Sequence, residues 1–478
     1  MKDNDNKSGF YLLGDNTDAF VARFALATIA KKTLDIQYYI MHNDASGQYL
    51  AYAILSAADR GVHVRILVDD INLSGHDSRL KMLSQHDNIE IRIFNPLSNR
   101  EWFRNIELMI NLDRAGRRMH NKVFMCDNSA AIIGGRNIGD EYFDARQSLN
   151  FVDLDLLTVG PIVGEITNSF NDYWHSDWAT PIEKLSTSRV VKKHLTTIRR
   201  KLKDKWFLAK NTQYFQSLRQ ADLTEKIINK QILFIWANAE LFYDSPNKVD
   251  KNTAEKTTHF GPQVMPYFEQ TKEELLIASP YLVPGNTGLQ WLINKQKTGI
   301  KIKILTNSLA TTDVIAAHAG YRKYRKSMIN ASIGLFELKP NARHLGSKTR
   351  NLIKGSSNAS LHAKYMVVDR QYVFIGSANL DPRSRNLNTE IGIMVNSKVL
   401  AQQTVEIFER TTSLENSYQV SLKQKSKNRS SGLSTDTNLL WLTEEDGNIK
   451  HYFQEPKASF IKKLGVFILS LLPIESLL

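Results

Sequence analysis

The chain has a single cysteine, Cys126, among 478 residues, so no disulfide can form within it, and its place in an apolar stretch marks it as a packing residue. Long apolar runs are missing too. Nowhere do 18 apolar residues follow one another, which excludes an ordinary membrane-spanning helix. The first residues, MKDNDNKSGF, have neither the basic nor the apolar region of a signal peptide, so the chain is expected to be cytoplasmic or already processed. Acidic residues are in deficit: 49 Asp plus Glu face 62 Lys plus Arg, and the net charge of +13 calls for an anionic partner such as nucleic acid or an acidic membrane. Apolar residues are not scarce. At 42% they suffice for two cores of about 150 to 200 residues each, which rules out a disordered chain.

What is present is a motif written twice. MHNKVFMCDNSAAIIGGRN (119–137) and LHAKYMVVDRQYVFIGSAN (361–379) each carry His, Lys and Asp on an apolar strand, where such groups are costly without partners. His120, Lys122, Asp127, Gly134 and Asn137 match His362, Lys364, Asp369, Gly376 and Asn379 at a constant offset of 242. A lone histidine on a strand is ordinarily a satisfied structural residue. Two matched sets are not.

The surroundings repeat as well. Strand, helix and strand are expected at 33–40, 47–61 and 62–70, and again at 274–282, 288–299 and 300–308, with both helices ending at a glycine, Gly61 or Gly299. A third strand follows each motif, at 151–160 and 390–397. The alternation argues for α/β halves with largely parallel pairing. Residues 1–185 read as the first lobe, 186–255 as a basic, mostly helical connector, 256–415 as the second lobe, and 416–478 as a linker and apolar tail. The stretch 311–329 reads as a basic, aromatic helix, and 425–432 as a flexible linker. The final segment, 460–478, has about 11 mostly apolar residues behind Lys462 and Lys463, too few to cross a bilayer; it is either a terminal core helix or an anchor lying in the membrane interface.

On an extended segment, residues two apart share a face, so each His and Lys can meet one ligand. If the halves pack about a pseudo-two-fold axis, two imidazoles flank one site. One, neutral, can attack phosphorus while the other, protonated, supplies a proton to the leaving alkoxide. Lys122 and Lys364 would neutralise phosphate oxygens, and Asn137 and Asn379 would donate hydrogen bonds to them. Asp127 and Asp369 would orient rather than react, and Asp153 and Glu390, which open the third strands, are candidates to orient a histidine ring. A metal is the rival reading of His plus Asp, disfavoured because a lysine between the ligands repels a cation. No metal or other cofactor is expected.

Two His-x-Lys-x4-Asp motifs, each followed by Gly-x-x-Asn, resemble those of the phospholipase D superfamily. Within it the chain is similar to bacterial cardiolipin synthases, in particular those without amino-terminal transmembrane helices, through LDIQYYI, RRMHNK, GGRNIGDEYFDA, SPYLVPGNTG, HAGYRKYRK, GSANLDPRSRNLNTE and SLLPIES. The resemblance implies two phospholipase D lobes, each a mixed sheet flanked by helices, with the active site at their interface. It implies His120 as nucleophile and His362 as acid. The implied reaction moves a phosphatidyl group from phosphatidylethanolamine or phosphatidylglycerol to phosphatidylglycerol. The implied setting is an anionic membrane surface, with the protein peripheral or monotopic at the bacterial cell membrane, on its cytoplasmic side, and no nucleic acid partner. Gly116 departs from the family pattern, where asparagine is expected four residues before the histidine. A hydrolytic phospholipase D and a nuclease of the same superfamily remain open alternatives.

Overall fold

A computed structural model describes residues 6–73, 77–97, 115–146, 148–185, 192–250, 259–342, 358–423 and 439–472. The linker expected at 425–432 and the last residues of the tail lie outside them. In the first half, Thr33–Tyr38, His63–Asp69 and Ile89–Phe94 run parallel. Antiparallel neighbours extend one side in the order Val123–Cys126, Ala130–Gly134, Asp155–Val159 and Ser8–Leu13, and Ala179–Pro181 closes the other. The second half repeats this order. Glu274–Ala278, Lys301–Asn307 and Gly334–Leu338 are parallel, flanked by Tyr365–Val368, Tyr372–Gly376, Ile391–Asn396 and Ile235–Tyr243 on one side and Ser417–Leu422 on the other.

The strands Ser8–Leu13 and Ile235–Tyr243, equivalent in the two lobes, pair antiparallel with Gly9 opposite Trp236, which joins the sheets about a pseudo-two-fold axis. This differs from the division read in the sequence: Ile235–Tyr243 lies within 186–255, yet it belongs to the second sheet. So does a hairpin from the tail, Leu439–Glu445 with Asn448–Tyr452.

Local chemistry accounts for the repeated plan. The crossover helices Ala45–Asp59 and Gly285–Lys297 are each followed by a glycine at φ +95° (Gly61) or +93° (Gly299), a conformation that only glycine adopts without strain. Their apolar faces cover one side of the parallel strands, where Leu34, Ile36, Val64 and Ile66 in the first lobe and Leu275, Ile277, Ile302 and Ile304 in the second are buried. The basic helix Lys192–Ala209 packs on Ala45–Asp59 through Trp206, whose ring stacks on Phe24 and Tyr52, and through an ion pair of Arg199 with Asp59. In the helix Ile315–Asn330 part of the basic character is internal, since Arg325 is buried between Glu337 and Glu455.

Each motif enters a hairpin whose turn has two consecutive left-handed residues, Asp127 and Asn128 in one and Asp369 and Arg370 in the other. The Asp127 carboxylate accepts the backbone N–H groups of Lys31, Lys32 and Thr33 at 2.7 to 2.9 Å. Asp369 does the same for Lys272, Glu273 and Glu274 at 2.8 to 3.0 Å. Both aspartates thus sit at the far end of the hairpin strand from the motif histidine and tie the hairpin to the start of the first parallel strand. They orient backbone, not an imidazole. Burial would raise the Asp127 pKa, but these donors override it and hold it below the usual aspartate value. The stabilisation is therefore full above the unfolded value of about 3.9 and is lost as pH falls through the lower folded value. Asp127→Ala is expected to cost about 1 to 3 kcal/mol of stability while leaving the geometry of the two histidines intact. Thermal melts at pH 7 and pH 3 check this: the difference in melting temperature between parent and variant should be full at pH 7 and smaller at pH 3.

The final helix, Phe460–Ser470, is no core helix. Only Val466 is buried, against Leu309 and Ala319, while Phe460 and Ile461 are each 78% exposed and Phe467 is 58% exposed. Lys462 fixes it by donating to the carbonyls of Ala310 and Thr312 at 2.9 Å. No helix among the described residues is long and apolar enough to cross a membrane.

Candidate active site

The two motif histidines lie on extended segments that precede the hairpin strands and cross into the opposite lobe. The His120 N–H donates to the Thr389 carbonyl at 3.0 Å, and the His362 N–H to the Val152 carbonyl at 2.8 Å. Each histidine is thereby set beside the residue that opens the other lobe's third strand. Nδ1 of His120 is 2.9 Å from Oε2 of Glu390, and Nδ1 of His362 is 2.6 Å from Oδ2 of Asp153. A ring held at Nδ1 presents Nε2 as its reacting atom.

The two carboxylates are not equivalent. Ser377 and Ser384 each accept a backbone N–H, from Ile391 and Asn379, which leaves their hydroxyl hydrogens to donate to Glu390 at 2.5 and 2.7 Å. Gly135 occupies the position matching Ser377. A Cβ there would stand 2.2 Å from an Asp153 oxygen, so this lobe has no room for a side chain beside the shorter, closer acid. Burial pushes the Glu390 carboxyl up to about 7, against the pull of Lys122 and the two serines. Burial also acts on Asp153, but the adjoining His362 and Lys364 override it and hold that carboxyl low, to about 2.

Lys122 and Lys364 fold back onto the backbone of their own motifs. Nζ of Lys122 donates to the His120 carbonyl at 2.5 Å, and Lys364 donates to that of His362. Both ammonium groups are buried, and burial lowers their pKa, that of Lys364 to about 8. Burial and then the neighbouring lysines depress both histidines, His120 far below its usual value. Two lysines and two imidazoles buried together make a site poised for a phosphate anion, whose charge would reverse this repulsion.

Some residues at the site carry no motif signal. The Tyr39 ring stands edge-on to His120 at 4.9 Å, and Tyr142 and Phe151 flank His362 at 5.1 and 5.0 Å. Asp69 holds the Met119 N–H and Asn307 the Leu361 N–H, both at 2.8 Å, fixing the residue before each histidine. Asp244, paired with Lys248, accepts the Glu390 N–H at 2.8 Å. Arg383 donates across the lobes to the Gly116 carbonyl, the position of the departure from the family pattern. Superposing the halves at the offset of 242 exposes one of these signals, because Tyr39 then meets Tyr281. The asparagines part company. The Asn137 amide is committed to the Ile40 N–H and the Tyr142 hydroxyl and supports the first motif's loop. Asn379, by contrast, has a buried side-chain oxygen without a hydrogen-bond partner among the described residues.

Two His-x-Lys pairs facing each other across a pseudo-two-fold axis, each imidazole held by an acid of the opposite lobe, define a phospholipase D-superfamily protein. The family model described as "Cardiolipin synthase, PLD-like domain" matches residues 25–174 and 264–412, and the chain belongs to that family. It is 36% identical over 471 residues to cardiolipin synthase C of Escherichia coli strain K12, covering 98% of this chain and 96% of that one. It is 32% identical to an uncharacterized protein of Helicobacter pylori, covering 97% of this chain and 88% of the other. Among solved structures, a phosphatidylserine synthase from Haemophilus influenzae superposes with a TM-score of 0.60 over 100% of this chain and 98% of that one, at 13% identity, which is a likeness of fold.

Proposed function

We propose that the chain makes cardiolipin, transferring a phosphatidyl group from phosphatidylglycerol or phosphatidylethanolamine to a hydroxyl of phosphatidylglycerol through a phosphohistidine. The observation that carries this reading is the pair of histidines with unequal carboxylates. The depressed, neutral His120, its Nδ1–H accepted by Glu390, is the nucleophile, and Nε2 forms the bond to phosphorus. The low Asp153 carboxyl favours the imidazolium of His362, which gives its Nε2 proton to the departing headgroup alkoxide as the P–O bond breaks. In the second half, neutral His362 takes the proton of the acceptor hydroxyl, the new P–O bond forms and the N–P bond breaks, restoring His120. Lys122 and Lys364 stabilise the charge on the non-bridging oxygens throughout.

Access to lipid comes from the rim. The Tyr281 hydroxyl donates to Asp313 at 2.9 Å, and the neighbouring Ala310 and Thr312 carbonyls hold Lys462 of the final helix at 2.9 Å. The exposed apolar face of that helix therefore stands beside the cleft, where it can enter a bilayer as an interfacial anchor with the net positive protein drawn to anionic headgroups. On this reading the protein works as a peripheral or monotopic enzyme at the bacterial cell membrane, and we assign it to the cytoplasmic side. Replacing Phe460, Ile461 and Phe467 together by aspartate is expected to weaken binding to phosphatidylglycerol vesicles about 10-fold or more, with the melting temperature unchanged. Co-sedimentation at low and high salt checks this, and unaltered binding would place the anchor elsewhere.

The reaction itself is tested by mass spectrometry of lipids after incubating the parent and His120→Ala with vesicles of phosphatidylglycerol, alone or mixed with phosphatidylethanolamine. Cardiolipin from the parent only supports the proposal, and dependence on the mixture identifies the donor. Phosphatidic acid alone would make the chain a hydrolase.

A further inference from the structure

The two lobes differ in helix packing as well as in their acids. In the first, the helix Asn16–Ile29 packs directly on Ala45–Asp59, and Phe143 fills the space beside them, fully buried, 5.4 Å from the Phe20 ring and under the Arg23 guanidinium. In the second, the equivalent helices Phe260–Glu269 and Gly285–Lys297 line a cavity of about 400 Å³. The cause is legible at the offset of 242. Phe124, Arg136, Tyr142 and Phe143 become Met366, Ala378, Ser384 and Arg385, and all four of the replacements line the cavity.

We infer that this cavity takes one acyl chain of the phospholipid whose phosphate lies between His120 and His362. Its walls are apolar, built from side chains such as Val264, Phe268, Ile277 and Trp291, which suits a hydrocarbon tail. It adjoins the catalytic centre through Ser384, which lines it and also donates to Glu390, the acid on His120. Its polar end is matched to a lipid's polar end. Arg385 is exposed there for a phosphate or ester, and the unpartnered oxygen of Asn379 is an acceptor for a glycerol hydroxyl. Among the described residues of the first lobe, Phe143 occupies the equivalent place. The site would therefore treat its two lipids unequally, gripping one by its tail and leaving the other to the bilayer. The identity of the occupant rests on the phosphatidyl-transfer reading.

The test needs no turnover. Binding of monomeric n-alkyl phosphates of 6 to 12 carbons to the full chain is measured below their micelle concentrations, together with a dodecyl phosphate brominated at its end. The dissociation constant is expected to fall about four-fold per added methylene, equivalent to about 0.8 kcal/mol. The terminal bromine should quench tryptophan fluorescence in the parent, and Trp291→Phe should lose most of that quenching. Gly261→Leu, at a position where an added Cβ meets nothing within 4 Å, and Val264→Phe should each flatten the dependence to less than two-fold per methylene. A slope unchanged in both filled variants, or quenching indifferent to Trp291, would overturn the inference and assign the binding to another apolar surface. Chain-length-dependent binding in a protein that makes no lipid product would keep the cavity and discard the transfer reaction. Product without such dependence would do the reverse.

Discussion

Asp153→Asn is expected to lower phosphatidyl transfer about 10³-fold or more while leaving the fold intact. The amide keeps the size of the carboxylate and, turned suitably, its contact with His362 Nδ1. It loses the negative charge that makes an imidazolium tolerable in a site already holding Lys122 and Lys364. Converting the carboxylate of a catalytic triad to an amide has a penalty of this order, about 10⁴-fold, because the wrong tautomer is stabilised. Glu390→Gln should be comparably severe, with a different pH signature. In the parent, Glu390 must be ionised to accept the Nδ1–H of His120, and burial has moved its carboxyl up to about 7. Transfer measured as kcat/KM should rise as pH rises through about 7, and Glu390→Gln should remove that rise along with the rate. Equal pH profiles for parent and variant would detach Glu390 from the nucleophile.

His362→Ala is expected to be rescued by the leaving group. Loss of a general acid costs about 10² to 10⁴-fold when the departing group is an alkoxide that needs a proton. A phosphatidyl donor carrying a p-nitrophenyl group departs as a stable anion, so its release should be nearly as fast in His362→Ala as in the parent. The second half-reaction still needs His362 as base, so the variant should show one burst of nitrophenol and then stall. His120→Ala should show no burst with either donor. If the two variants behaved alike, the division of roles between the histidines would be wrong.

The sequence carried much of this because chemistry constrained it twice. His120, Lys122, His362 and Lys364 stand out through their constant offset, and Asp153 and Glu390 through their places at the heads of matched strands. Which acid serves which histidine is not legible, because the exchange between lobes is made by the paired segments at Thr389 and Val152, far away in the chain. Asp127 and Asp369 keep their spacing for a different reason than it suggests. That spacing is the length of a hairpin strand ending in a left-handed turn, where a carboxylate gathers three backbone N–H groups. Ile235–Tyr243 escaped notice as a second-lobe strand because it follows a long basic helical stretch and pairs only with residues more than 140 positions away. The exchange of Phe143 for Arg385 reads as an ordinary surface difference until burial shows that one fills a core and the other borders a cavity.

In the proposed mechanism one histidine carries the lipid and the other moves the proton. The most direct measurement is rapid quench of the chain with the p-nitrophenyl donor in the His362→Ala background, followed by peptide mass mapping under conditions that preserve acid-labile phosphoramidates. A phosphatidyl adduct is expected on the peptide bearing His120, at close to one per chain, and none when His120 is also replaced. An adduct on another residue, or steady product formation with no adduct at any time, would contradict it.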